Sequence, residues 1–205
     1  MPIFLDDTRT ELAGDDLADV LEAARTHLAP RDRVVVEVEI DGQTVPASDL
    51  EHVASQRIAG REIRLTSADP RQLVGDTLLQ VQDRLEDARK VHEHAAERLQ
   101  ADDPADAMQS LSEAIEIWIQ TQQTVLHASM LLGLDLDALT VADERFDQLT
   151  ARLLERLQSL KAHLESQDTV ALADELAYEW PPTIDRWQQL VTTLITHIQQ
   201  PPPST

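Results

Sequence analysis

The chain becomes almost free of glycine after Gly75, since its last 130 residues contain Gly133 as their one glycine. Over the same stretch, apolar residues recur at alternating steps of three and four. Glycine disfavours helix interiors, and this period puts apolar side chains on one face of a helix. We therefore expect long packed helices from residue 70 onward and a different kind of structure in residues 1–69.

Helix starts and stops divide the second part of the chain. Asp69 followed by Pro70 is typical of an N-cap and a first helical position, and Asp103 with Pro104 repeats that pattern. Gly133 predicts the end of the second helix. A third helix is expected from about residue 143 to 168, and a fourth up to about residue 200.

Heptad spacing predicts which residues of these helices face a core. The seam of the first helix is predicted at Val74, Leu78, Val81, Leu85, Ala88, His92, Ala95 and Leu99. The seam of the second helix is predicted at Met108, Leu111, Ile115, Trp118, Gln122 and Val125, with Leu126 and Met130 beside it.

The fourth predicted helix carries two prolines in its middle, Pro181 and Pro182. The apolar period continues across them, so we expect one kinked element whose two halves face the same core. Trp180 and Trp187 flank the kink. Packing of the bend by the two tryptophans is the favoured interpretation. A partner or ligand groove at the kink is the functional alternative, which makes these four residues the candidate interaction surface.

Short connections between such helices favour antiparallel neighbours. The expectation for residues 70–200 is an antiparallel four-helix bundle with a proline-kinked last helix. Residues 201–205, which read Pro-Pro-Pro-Ser-Thr, are expected to form a flexible tail.

Residues 1–69 alternate between strand and turn patterns. In the run from Val34 to Ile40, alternate residues are apolar, which predicts a half-buried strand, and Asp41–Gly42 predicts a tight turn after it. Short strands are also expected near residues 2–5 and 62–66, with one helix between Gly14 and Pro30. The whole chain is thus expected to be α+β, with domains at 1–69 and 70–200.

The element order of residues 1–69 resembles a β-grasp domain. The opening Met1-Pro2-Ile3-Phe4-Leu5 resembles the first strand of the ubiquitin family, and the run from Val36 to Leu65 is similar to the small sulfur carriers of thiamine and molybdopterin biosynthesis. Both families act through a free C-terminal Gly-Gly. Here Ala68-Asp69-Pro70 stands in its place and the chain continues, so the resemblance implies the fold without adenylation or conjugation.

The charge of the chain restricts its partners. Its 38 acidic residues against 17 basic ones give a net charge of −21, and Lys90 and Lys161 are its two lysines. Such a surface repels nucleic-acid backbones and anionic membranes, so neither is an expected partner. A positively charged partner surface, or mimicry of a nucleic acid, is the functional alternative to simple solubility.

The sequence shows no arrangement that predicts catalysis. It has no cysteine, no Glu-x-x-His pair of the di-iron bundles, and no glycine-rich phosphate loop. His92 and His94 lie two residues apart and so point to different sides of a helix. We therefore expect no catalytic residues, no metal, no cofactor and no small-molecule substrate, with His92 at the edge of the core.

These observations favour a non-catalytic protein-interaction protein, an adaptor or scaffold. Its partner is expected to be a protein, another copy of the chain included. One alternative is an acidic helical chaperone for an exported or self-assembling protein, and another is an enzyme or metal-binding bundle.

The N-terminal segment is acidic and amphipathic, and no run of about 18 apolar residues occurs. The expected location is the cytoplasm.

Overall fold

The computed structural model describes residues 2–55, 58 and 60–200, except for the side chain of Glu51. The chain divides into two compact units, Met1–Leu73 and Val74–Thr205. The first contains a mixed sheet and the second is helical, so the α+β class expected from the sequence is confirmed. The tail predicted at residues 201–205 lies outside the described residues.

The first unit is built on a five-stranded sheet with the order β2-β1-β5-β3-β4. β1 and β5 pair in parallel, and the other neighbours are antiparallel. Its elements are β1 Ile3–Leu5, β2 Thr8–Thr10, α1 Leu17–Leu28, β3 Val34–Ile40, β4 Gln43–Thr44, α2 Leu50–Ala54 and β5 Ile63–Ala68.

Helix α1 and the strands share one apolar core. The helix begins after Asp16, whose carboxylate accepts the backbone N–H of Asp19 at 2.9 Å and so caps the first turn. Its buried face meets residues of β1, β3 and β5 in a single cluster. The buried members are Ile3, Leu5, Leu17, Val20, Ala24, Leu28, Val38, Ile40, Ile58, Ile63 and Leu65.

The hairpins of the structure turn on pairs of residues with positive φ. The pairs Asp6–Asp7 and Asp41–Gly42 join β1 to β2 and β3 to β4. Aspartate and glycine tolerate this conformation, which matches the twist of a two-residue hairpin. Ala142–Asp143 form a third such turn, between β6 Thr140–Val141 and β7 Glu144–Arg145. The sequence did not predict this hairpin, because alanine is not a turn residue.

The second unit contains long helices whose starts agree with the sequence. Asp69 accepts the N–H of Arg71 at 2.8 Å, and Asp103 accepts that of Asp106, as N-caps do. The third predicted helix begins later than expected because the hairpin precedes it. The helices are α3 Pro70–Gln100, α4 Pro104–Leu132, α5 Phe146–Ser166, α6 Thr169–Tyr178 and α7 Trp180–Gln199.

The core seam of α3 is confirmed at all eight predicted positions, which are buried. The core seam of α4 consists of two rows of residues, and one of the two observed rows is shifted by one residue from the predicted row. Leu111, Trp118 and Val125 are buried as predicted, but the row beside them consists of small residues instead of Met108, Ile115 and Gln122. That row is Ala107, Ala114, Thr121 and Ala128.

Both rows of α4 have heptad spacing, so the period alone could not separate them. The structure selects the row with small side chains and leaves Ile115 39 % exposed. Ile115 of the larger row therefore lies at the surface of α4, whereas Met108 is half-buried against the core.

The fourth predicted helix is divided into α6 and α7 at Glu179. The break precedes the prolines, which occupy the first turn of α7. A proline there removes no helical hydrogen bond, since the first N–H groups of a helix have no partner within it. Residues of α6 and α7 join the same apolar cluster, as expected for the two halves of the predicted element.

Two glycines of the second unit provide a matched test of backbone conformation. Gly133 ends α4 at φ 63°, whereas Gly75 lies inside α3 without a positive φ, and a Cβ at either position would meet no atom within 4 Å. Only the backbone therefore distinguishes them. We expect Gly133→Ala to lower the free energy of unfolding by about 1 kcal/mol and Gly75→Ala to raise it by up to about 1 kcal/mol. Chemical denaturation of both variants checks this, and shifts of the same sign would contradict the assignment.

Candidate interaction surface

The four residues predicted as an interaction surface are divided between core and surface. Trp180 and Trp187 are 0 % and 1 % exposed, Pro181 is half-buried and Pro182 is exposed. The two indoles thus present no face to solvent. Their burial agrees with the favoured interpretation, in which they pack the bend between the two halves of the element.

The tryptophans belong to an aromatic group in the core of the helical unit. The ring of Trp118 lies 5.5 Å from that of Trp180 and 5.8 Å from that of Trp187, in tilted and edge-to-face arrangements. The ring of Phe146 lies 6.4 Å from that of Trp187. Aromatic pairs at such distances contribute beyond their buried area. The group is therefore a packing centre.

His92 lies at the edge of this aromatic group, and it is 2 % exposed. Trp118 Nε1–H donates to His92 Nε2 at 3.2 Å, and the indole of Trp180 lies 4.3 Å from the imidazole. Burial lowers the pKa of His92 from 6.5 to about 4, so the ring is neutral near pH 7. Its Nδ1 is buried without a hydrogen-bond partner among the described residues.

A second buried polar group lies between α5 and α6. Ser159 Oγ donates to Glu175 Oε2 at 2.7 Å, and His163 Nε2 lies 3.2 Å from the same oxygen and 3.4 Å from Ser159 Oγ. Glu175 is 6 % exposed. A nucleophile relay needs the serine on one imidazole nitrogen and the acid on the other. Here both lie at Nε2, so the group ties two helices together and is not such a relay.

The most unusual surface of the second unit is an apolar stripe on the outer side of α4. We define the outer stripe of α4 as Ile115, Ile119, Leu126 and Met130, which are 39 %, 50 %, 46 % and 78 % exposed. Their spacings of four, seven and four align them on one helix face. The stripe adjoins the buried seam at Ile115, which lies four residues after Leu111 and three before Trp118, and its other members extend the apolar surface of α4 away from the core.

The charges of α4 are of one sign. Between Pro104 and Leu132 the sequence contains Asp106, Glu113 and Glu116 but no lysine or arginine. Asp106 pairs with His94 and Arg98 of α3. Glu113 and Glu116 are exposed, and neither forms an ion pair within the part of the chain that the structure describes. Glu116 precedes Ile119 by three residues and is thus its neighbour on the helix surface.

Two grooves are less distinctive. One, of about 410 Å³, lies between α3 and α4 and is lined mainly by neutral polar side chains, with Arg84 donating to Gln120 at 3.2 Å. The other, of about 550 Å³, lies beside β3 in the first unit. It is mainly apolar, but Val36, at 44 % exposure, is the one exposed large hydrophobic residue among those that line it in the described structure.

The described residues contain neither a metal-ligand cluster nor a membrane-spanning helix. Across residues 2–55, 58 and 60–200, no group of three or more histidine, aspartate or glutamate side chains is arranged to hold a metal ion. Over the same residues, no helix combines the length and the apolar character that crossing a bilayer requires.

A protein-family model described as "Domain of unknown function (DUF8042)" matches residues 76–190, more than half of the chain. The chain belongs to this family. The DUF8042 segment begins inside α3 and ends inside α7, and it includes the aromatic group, the Glu175 group and the outer stripe. Neither the search of curated proteins nor the search of solved structures finds a match to this chain.

Sequence reasoning missed the outer stripe of the DUF8042 segment. It assigned Ile115, Leu126 and Met130 to the core seam or its side and omitted Ile119. The signal that separates the two faces is the row of small residues from Ala107 to Ala128 at steps of seven, because close helix packing favours small side chains at such positions.

Proposed function

We propose that this protein acts by binding another protein through the outer stripe of α4. The observation that carries the proposal is the exposure of four large apolar side chains, Ile115, Ile119, Leu126 and Met130, along one face of a helix whose other face is already buried. Contiguous apolar surface of this kind on a soluble domain is typical of interaction sites. In a chain with a net charge of −21, an apolar surface of this kind is unusual.

The proposal includes a fold class for each of the two units. We assign the first unit to the β-grasp class, because its first and last strands lie side by side in parallel and α1 packs on the sheet. We assign the second unit to the four-helix bundles, with α6 and α7 together as the fourth member. A bundle supplies a rigid frame on which α4 presents its stripe.

We further propose that the role is non-catalytic, as an adaptor or scaffold, and that the protein works in the cytoplasm. The arrangement of Ser159, His163 and Glu175 around one imidazole nitrogen supports the first point. The lack of cysteine agrees with the second, because disulfides characterise oxidising compartments.

Site-specific photo-crosslinking in cells tests the proposal. A photo-crosslinking amino acid replaces Leu126 in one variant and Val170 in another, since Val170 is 72 % exposed on α6 away from the stripe residues in sequence. We expect position 126 to give a discrete crosslinked product that position 170 does not give. Comparable products from both positions, or none from position 126, would refute the proposed docking surface.

A further inference from the structure

We infer that the partner of the outer stripe is an amphipathic helix of a different protein, with lysine and arginine residues flanking its apolar face. This inference rests on the proposed function and adds the chemistry of the partner to it. It follows from the shape of the stripe and from the charge beside it.

The shape of the stripe fits a helix. Ile115 and Met130 are fifteen residues apart on α4, which corresponds to about 22 Å of helix, or about four turns. A straight row of side chains on a helix surface packs against the grooves of a second helix. A helical partner of about four turns would cover the four residues with anchors at steps of three and four.

The charge beside the stripe favours a basic partner. Glu116 is exposed on α4, lies three residues before Ile119 and forms no ion pair within the described residues, and the helix contains no lysine or arginine. A partner with acidic flanks would meet this carboxylate as a like charge, whereas lysine or arginine flanks would be complementary. Charges at the rim of an interface mainly control the association rate and its salt dependence.

The net charge argues against two other occupants. A second copy of this chain brings another −21 to the interface, so two copies repel each other at low ionic strength. An anionic membrane surface is repelled for the same reason. A basic helix is attracted, and it gains affinity as the salt concentration falls.

Titration of the full chain with three synthetic peptides tests the inference. Each has about 18 residues, enough for about five turns. The first has leucines at helical steps of three and four with lysine flanks, the second has the same leucines with glutamate flanks, and the third is a scrambled form of the first. Fluorescence anisotropy measures binding at about 50 and 300 mM salt, which changes the screening length about twofold.

We expect the lysine-flanked peptide to bind at least about tenfold more tightly than either of the others, and to weaken at the higher salt concentration. The double variant Ile119→Ser/Leu126→Ser should lose at least about tenfold in affinity through lost apolar contact. Glu116→Gln should lose several-fold in affinity and become less sensitive to salt. Val170→Ser serves as the matched control and should bind as the unaltered chain does.

Equal binding of the scrambled peptide, or of the glutamate-flanked peptide, would overturn the inference, as would unchanged binding by the double serine variant. The crosslink at position 126 tests the proposed function independently of these peptide results. A crosslink to a second copy of the chain alone would keep the docking surface but overturn the partner class. Absence of any crosslink at position 126 would refute the docking surface itself.

Discussion

Replacing Trp187 by alanine is expected to lower the free energy of unfolding by about 3–5 kcal/mol. Trp187 is 1 % exposed, and its indole contacts the rings of Trp118 and Phe146 at centroid distances of 5.8 and 6.4 Å. The substitution removes a large apolar side chain and leaves a cavity between α4, α5 and α7. Urea denaturation followed by circular dichroism measures the loss.

Two companion variants make this result specific. Trp187→Phe should cost less, because it keeps a ring in the cavity and removes an indole N–H that has no hydrogen-bond partner among the described residues. Tyr178→Ala, at a position 72 % exposed, should change stability by less than about 0.5 kcal/mol. If Trp187→Ala behaved like the Tyr178 variant, Trp187 would not be a packing residue and the interaction role predicted for it would regain support.

The helix boundaries were the most predictable part of this fold. Asp69, Asp103 and Gly133 mark helix ends as the sequence predicted, because capping depends on local chemistry that a few neighbouring residues determine. The break at Glu179 was less predictable. Two prolines can stand either in a kink or in a first helical turn, and the choice depends on where the preceding helix ends.

The contacts between helices were less accessible from the sequence. In α4 the rows that begin at Ala107 and at Met108 have the same heptad period, and both contain residues compatible with a core. Hydrophobicity favours the larger row, whereas close approach of neighbouring helices favours the smaller one. The structure follows the second rule, and Ile115 of the larger row becomes part of the exposed candidate site.

The Glu175 group shows a different limit of sequence reasoning. Ser159 and Glu175 lie on separate helices, and a hydrogen bond of 2.7 Å between them depends on how α5 and α6 pack. No local pattern marks either residue. A buried carboxylate needs hydrogen-bond donors such as Ser159 to compensate for its burial. These residues could therefore be recognised only once the packing of α5 against α6 was known.

His92 gives the second large expected effect, a loss of stability on mild acidification. Burial lowers the pKa of His92 to about 4 in the folded protein, whereas the ordinary value of 6.5 applies to the unfolded chain. The unfolded state therefore binds a proton more readily at pH values between the two. Stability due to neutral His92 is complete above pH 6.5 and falls as the pH falls toward 4.

The expected loss between pH 7.5 and pH 5 is about 2 kcal/mol for this one group, and this range stays above the isoelectric point of about 4.5. Urea denaturation of the unaltered chain and of His92→Gln at each pH measures it. Other titrating groups affect both proteins alike, so their difference isolates His92. The glutamine of the variant can accept the Trp118 N–H but does not titrate, so the stability of the variant should decline less steeply with acidification. Parallel pH profiles for the two proteins would show that protonation of His92 does not oppose folding.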